Sequence, residues 1–264
     1  QKLRDNPPLW IRNGLKHPID PSRSYDFKTE DGDVLKHLLD DDSWLYPENF
    51  GDINVLVLPR GELKSTSTSW LAAWAHDAHP QLHTYYIAPN KGQVYDYIEP
   101  FRSTYVEQAD MDSRRITDNK STQVFKTYQK DEDGDVNPVL GRFQTDSGYS
   151  EESVRGKHSQ LGIFDETQDL SERVFNVALP SIDMGLPDAD WETTVFCIGK
   201  PKETGSFYHD LWERSDQRRW DSEAEQWVFD SEVDPYELSA DEIEELPGNI
   251  DLDATESYSV HGGR

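Results

Sequence analysis

The chain has 264 residues, with 52 Asp or Glu against 26 Lys or Arg and a formal net charge of -26. Its length suits one α/β-sized domain, or one such domain with an appendage, and 8 Trp, 12 Tyr and 10 Phe exclude an acidic disordered chain. No apolar run approaches the roughly 20 residues that span a bilayer, so no membrane helix is expected, and no secretory signal pattern is visible.

Cys197 is the sole cysteine, which rules out an internal disulfide or a cysteine-rich metal site. Inside an apolar run it reads as a buried, inert thiol. A surface this acidic repels itself at low salt, and molar ionic strength removes that penalty by shortening the Debye length to about 3 Å. The acid is spread along the whole chain, which points to a halophilic source with a salt-rich cytoplasm. An acidic partner-binding face on a mesophilic protein is the alternative.

Residues 1–50 are Pro- and Asp-rich, with short helical patches such as 34–39. Ile53-Asn-Val-Leu-Val-Leu-Pro59 is the continuous apolar run of a buried parallel strand. Residues 65–78 place Trp70, Leu71, Trp74 and Ala78 at helical spacing, so the two tryptophans read as core. Leu82-His-Thr-Tyr-Tyr-Ile-Ala88 is a second strand, Pro89-Asn-Lys-Gly92 a turn and 93–105 a helix. Residues 107–150 are polar and hold two short strands, 122–128 at a sheet edge and 141–145 as another. Then come a strand over 161–164 with a helix over 173–179, and a strand over 193–198 with a helix over 207–214. Beyond 220 the chain is acidic and less periodic, apart from 240–246, and no internal repeat is visible.

Strands alternating with helices predict βαβ units, hence an α/β fold with a mainly parallel central sheet flanked by helices. The expected division is an N-terminal segment (1–50) belonging or appended to the core, a core (51–220), and an acidic extension or linker (221–264).

Two strand ends carry chemistry. The run Leu161-Gly-Ile-Phe164 ends in Asp165-Glu166, at the carboxyl edge where open α/β sheets bind ligands. One carboxylate there helps hold Mg²⁺ and the other polarises an attacking water, unless the pair is only a charged turn. Directly after the first strand stands Pro59-Arg-Gly-Glu-Leu-Lys-Ser-Thr66. A phosphate-binding loop needs a strand, a turn with converging N–H groups and a helix N-terminus facing the anion. It also needs a Lys for the β/γ-phosphates and a hydroxyl on Mg²⁺. Lys64 and Ser65 (or Thr66) fit those two roles. Leu63 stands where a glycine usually precedes the lysine, and its Cβ strains a left-handed backbone; a surface Lys-Ser opening a helix is the plain alternative. A third strand end is closed by Gly199-Lys-Pro201.

Other clusters read as structure. His76, His79 and His83 lie at a helix end and loop rather than in a metal site. Asp131-Glu-Asp-Gly-Asp135 lacks the twelfth-position Glu of a Ca²⁺ loop. Asp251 and Asp253 look like the start of a carboxylate metal site, whose partner carboxylates would have to follow, and they are not counted among the expected site residues.

Taken in order, Pro59-Arg-Gly-Glu-Leu-Lys-Ser65, Tyr86-Ile-Ala-Pro-Asn90 with Gln93, Val154-Arg-Gly-Lys-His158, the Asp165-Glu166 strand and Cys197-Ile-Gly-Lys-Pro201 resemble the ATPase half of a viral large terminase, over roughly residues 50–215. Arg155-Gly-Lys-His158 is similar to the family's Arg-Gly run before its Walker B strand. The resemblance implies a P-loop NTPase of the ASCE type that hydrolyses ATP with Mg²⁺ to move double-stranded DNA into a procapsid. It implies a homo-oligomeric ring on the portal protein of the capsid and cooperation with a small terminase subunit. The place of work would be the host cytoplasm, transiently at the procapsid, with a nuclease domain following the ATPase in many members.

Carried over by position, Gly61, Glu62, Leu63, Lys64, Ser65 and Thr66 would form the Walker A loop, and Ser65 and Asp165 would hold Mg²⁺. Glu166 would be the general base, and Arg60 would stabilise charge developing on the γ-phosphate. Gly199, Lys200 and Pro201 sit where the coupling motif lies; Lys200 departs from the family's Gly-Thr-Pro, and Leu63 is a second departure. DNA contacts fall to local basic spots at Arg114-Arg115, Arg155 with Lys157, and Arg218-Arg219, though Arg155 and Lys157 fit equally well as braces for the strand. A nucleic-acid helicase or translocase, and a nucleotide-binding assembly protein with a decayed loop, are the rival readings.

Overall fold

The computed structural model describes residues 6–15, 36–40, 43–58, 64–102, 111–130, 134–183, 191–215, 217, 219–221, 226–228 and 258–261. In chain order the elements are α1 (Pro7–Gly14), β1 (Ile53–Val57), α2 (Lys64–Ala78), β2 (His83–Ala88), α3 (Lys91–Phe101), β3 (Arg115–Asn119), β4 (Thr122–Lys130), β5 (Val136–Ser147), β6 (Leu161–Phe164), α4 (Glu172–Asp183), β7 (Thr194–Gly199), α5 (Phe207–Glu213), β8 (Arg219–Asp221), β9 (Gln226–Val228) and β10 (Tyr258–His261).

The strands form a single sheet in the order β3-β4-β5-β2-β6-β7-β1-β10-β8-β9. Its centre, β5-β2-β6-β7-β1, is parallel throughout, and antiparallel wings flank it on both sides. Strands β1, β2, β6 and β7 are buried over nearly their whole length because helices cover both faces, and successive side chains serve opposite layers. Leu56, Tyr86, Ile163 and Phe196 pack with α1, α2 and α3. Their immediate neighbours Val55, Tyr85, Phe164 and Cys197 pack with α4 and α5. Gly162 marks a close approach on that second face. A Cβ there would lie 2.6 Å from Ile182 Cδ1, so a side chain would push α4 off the sheet.

Local chemistry sets the helix ends. The Asn6 side chain accepts from Leu9 N–H at 2.8 Å, with Pro7 in the first turn. Asn90 caps α3 in the same way, accepting from Gln93 N–H at 3.1 Å. That cap explains why the helix begins at Lys91 rather than 93; it ends at Phe101, and 103–110 lie outside the described residues. Helix α2 is buried from Ser67 to His76. Its Ser, Thr and Ala residues let it lie closely between the sheet and α1 and α3, where a broader apolar stripe would not fit.

Two expectations require correction. The segment 122–128 is not an edge strand: β4 runs from Thr122 to Lys130 between β3 and β5, and β3 forms the edge. The expected strand over 141–145 is the inner half of a longer β5, which joins the parallel centre against β2. Strand β3, Arg-Ile-Thr-Asp-Asn, is too polar to announce itself. Within 34–39 the described part is a short 3₁₀ turn, Lys36–Leu38. Residues 240–246, Asp251 and Asp253 lie outside the described residues, as do 131–133 of the acidic turn. From the N-terminal segment, Trp10, Ile11, Leu15, Leu38, Trp44 and Leu45 enter the core. From the acidic segment, β10 pairs with β1.

Candidate active site

Strands β1, β7 and β6 lie side by side, so the segments leaving β1 and β6 emerge at one carboxyl edge with a single strand between them. Helix α2 opens at Lys64, which carries Lys64 and Ser65 to that edge. The register Val57–Gly199 and Phe164–Cys197 sets the strand ends nearly level.

The side chains meet there. Ser65 Oγ donates to Asp165 Oδ2 at 2.9 Å, and Tyr86 Oη donates to the same oxygen at 2.7 Å. The other carboxylate oxygen, Oδ1, accepts from Glu166 N–H at 2.9 Å. Asp165 is 5% exposed, and burial raises its pKa above the ordinary carboxylate value, although Tyr86 and Ser65 pull it back down. Burial and the adjacent Asp165 push the Tyr86 phenol well up, so it remains a donor through the neutral range. Its ring stacks on Tyr97 at 3.8 Å.

Lys64 Nζ lies 3.5 Å from Glu166 Oε1. Glu166 has left-handed backbone angles, φ 48° and ψ 48°. Such a conformation is uncommon for a residue with a Cβ, and strain of this kind gathers at functional sites. It aims the carboxylate away from the strand axis and starts a 3₁₀ turn, Thr167–Asp169. Thr167 Oγ1 donates toward Phe164 O at 2.8 Å and Ile198 O at 3.1 Å, fastening this turn to β7.

Of the residues expected at the site, the structure thus brings together Lys64, Ser65, Asp165 and Glu166. Thr66 is half-buried next to Ser65. Gly199 and Pro201 are buried at the end of β7, and Lys200 reaches the group through its backbone N–H, which donates to Gln168 Oε1 at 3.2 Å. Arg60, Gly61, Glu62 and Leu63 lie outside the described residues. Arg155 and Lys157 do not join the cluster: Arg155 lies 3.7 Å from Glu151 and Lys157 lies 3.7 Å from Asp146. Arg114 pairs with Asp77, and Arg115 with Asp112 and Asp118; Arg218 lies outside the described residues. His76 turns inward, its Nε2 3.0 Å from Thr84 Oγ1, and the ring of His79 meets that of Trp191 at 4.9 Å.

Tyr86 and Gln168 were not singled out from the sequence. A tyrosine in an otherwise apolar buried run needs a partner for its hydroxyl, and that signal was available in Tyr85-Tyr86. The two phenols go to opposite faces, Tyr86 to Asp165 and Tyr85 to Asp146 at 3.1 Å.

The donor set suits a hard divalent cation: a hydroxyl and a carboxylate, completed by phosphate oxygens and water, is how Mg²⁺ is commonly held. The arrangement can grip an anion with Lys64, place a metal on Ser65 and Asp165, and accept a proton at Glu166.

No family model matches the chain, and no curated protein does. Among solved structures, the ATPase domain of the Thermus phage P74-26 large terminase is 15% identical over 61% of this chain and 64% of that domain, with a TM-score of 0.48. An arginine-to-alanine mutant of the same domain gives a TM-score of 0.50 with the same identity and coverage. The large terminase of a thermophilic bacteriophage, solved with ATP-γ-S, is 13% identical over 67% of this chain and 40% of that one, with a TM-score of 0.42. The match thus spans less than two thirds of each of these proteins. Together with the strand order, the likeness at a TM-score of 0.50 identifies the fold as that of a P-loop NTPase.

Proposed function

We propose that this chain is the ATP-hydrolysing motor domain of a viral large terminase, which drives double-stranded DNA into a procapsid. One observation carries the reading: Lys64 and Ser65 on one strand end meet Glu166 and Asp165 on the next but one, at 3.5 Å and 2.9 Å. One triphosphate bound at this edge would have all four side chains within reach.

In this reading Lys64 grips the β- and γ-phosphate oxygens, and Arg60 with residues 61–66 forms the rest of the cradle. Ser65 and Asp165 would hold Mg²⁺, which when bound neutralises phosphate charge. Tyr86 keeps Asp165 oriented through its hydrogen bond. Glu166 orients a water and accepts its proton as the new P–O bond forms. The bridging oxygen leaves on ADP, and inorganic phosphate is released. Gly199, Lys200 and Pro201 relay the change to the rest of the motor. Arg155 and Lys157 are proposed to face DNA, the remaining partners being a portal protein, a small terminase subunit and further copies of this chain in a ring. The work is placed in the host cytoplasm and transiently at the procapsid. The net charge of -26 supports a virus of a halophile, where weak, sequence-independent DNA contacts rely little on counterion release.

Steady-state hydrolysis of MgATP in molar KCl tests the reading. Lys64→Ala and Glu166→Gln are each expected to lose roughly 10²–10⁴-fold in kcat, the usual scale for removing a positioned base. Wild-type turnover no faster than that of the variants would favour a nucleotide-binding assembly protein. Unwinding of a forked duplex without any capsid would favour a helicase.

A further inference from the structure

We infer that Gln168 is a positioning residue that ties the carboxylate of Glu166 to the backbone of the Gly199–Lys200 segment, so that movement of one is delivered to the other. The inference rests on the role of Glu166 proposed above.

Gln168 lies in the 3₁₀ turn just beyond Glu166. Its amide Nε2 donates to Glu166 Oε2, and its Oε1 accepts from Lys200 N–H at 3.2 Å. A reversed amide would set oxygen against the carboxylate and NH₂ against the peptide N–H, so the two partners dictate its orientation. A planar amide has little give between its two ends. Displacing the Lys200 peptide therefore drags the donor that holds Glu166.

Gly199 makes room for this bridge. A Cβ there would lie 2.1 Å from Gln168 Oε1 and 3.1 Å from Tyr208 Cε1. Gly199 belongs to β7, so the glycine answers a need for space rather than for unusual backbone angles. Two other links join the same turn to β7: Thr167 to the Ile198 carbonyl, and Lys202 Nζ to Asp169 at 2.6 Å. Neither touches Glu166. They hold the turn in place, whereas Gln168 reaches the reacting group's own partner.

Gln168→Leu removes both bonds at similar volume, together with the 3.2 Å bond that Nε2 also donates to Asp169 Oδ2. Gln168→Glu keeps an acceptor for Lys200 but sets a negative oxygen against Glu166. Gly199→Ala leaves Gln168 intact and forces it away.

The test measures kcat and KM for MgATP in the full chain. All three variants should lose roughly 10-fold or more in kcat, the scale of one charge-assisted hydrogen bond, with KM little changed. A fall in kcat at an unchanged KM separates misplacement of Glu166 from a general structural defect, which would weaken MgATP binding as well. In a Gln168→Ala background, Gly199→Ala should cost little more, because the amide it displaces is gone. The same four-protein cycle read by thermal melting gives the coupling without turnover. Additive losses in that cycle, or a rise in KM as large as the fall in kcat, would overturn the inference and leave the motor reading standing. Turnover in Glu166→Gln equal to wild type would remove the role of Glu166 and this inference with it.

Discussion

His76 is enclosed by the rings of Phe101, Phe125 and Phe143 at 5.8–6.2 Å, near the end of the helix whose first turn carries Lys64. Burial, followed by the positive fields of His83, Arg114 and His79, lowers its pKa from 6.5 to about 3. The folded protein thus keeps this imidazole neutral over a range in which the unfolded chain takes up a proton. Stability attributable to His76 is complete above pH 6.5 and drains away as the pH falls toward about 3. Each pH unit below 6.5 costs about 1.4 kcal/mol, so about 2 kcal/mol is gone by about pH 5. His76→Gln retains a polar partner for Thr84 but cannot titrate. Urea unfolding of both proteins at about pH 7.5 and about pH 5, in the same high KCl, separates this term from general acid effects, and the variant should lose about 2 kcal/mol less between the two conditions. Equal losses in the two proteins would show that the His76 pocket admits the charged ring.

Three further outcomes follow from the same geometry. Tyr86→Phe removes one of two side-chain donors to a buried carboxylate oxygen and should cost about 1–3 kcal/mol in urea unfolding; no loss would mean that the phenol does not serve Asp165. Cys197 is fully buried with its thiol pKa raised by desolvation, so an alkylating reagent should label it only at the rate of unfolding; rapid labelling of the native protein would contradict the packing of β7. The melting temperature should climb steeply from dilute buffer to molar KCl, as screening relieves a net charge of -26; a flat response would favour a local acidic binding face.

What was legible in the sequence was what is local. The runs that became β1, β2, β6 and β7 are predominantly apolar because both faces are covered, and short runs of that kind announce themselves. Lys64-Ser65 and Asp165-Glu166 each sit directly at a strand end, so their place at the edge could be read without knowing which strands are neighbours. Tyr86 and Gln168 required that knowledge. Tyr86 reaches Asp165 only because β2 lies beside β6, and Gln168 reaches Lys200 only because β7 lies beside β6 on the other side. Strand order is set by the packing of whole layers and leaves no mark at a single residue. Strand β3 shows the opposite failure: five residues with one apolar side chain, Ile116, hold their place through the β4 ladder and polar contacts such as Asp118 with Arg102.

The pairing of β1 with β10 bears on how this protein is cut for study. Asn54 through Val57 bond on one side to β7 and on the other to Tyr258–His261. A truncation that removed the last of these strands would bare the outer margin of the ribbon that delivers Lys64. Unclaimed peptide groups along such a margin recruit another chain. A shortened version would then be expected to precipitate or dimerise, and its lost turnover would be mistaken for a damaged nucleotide pocket.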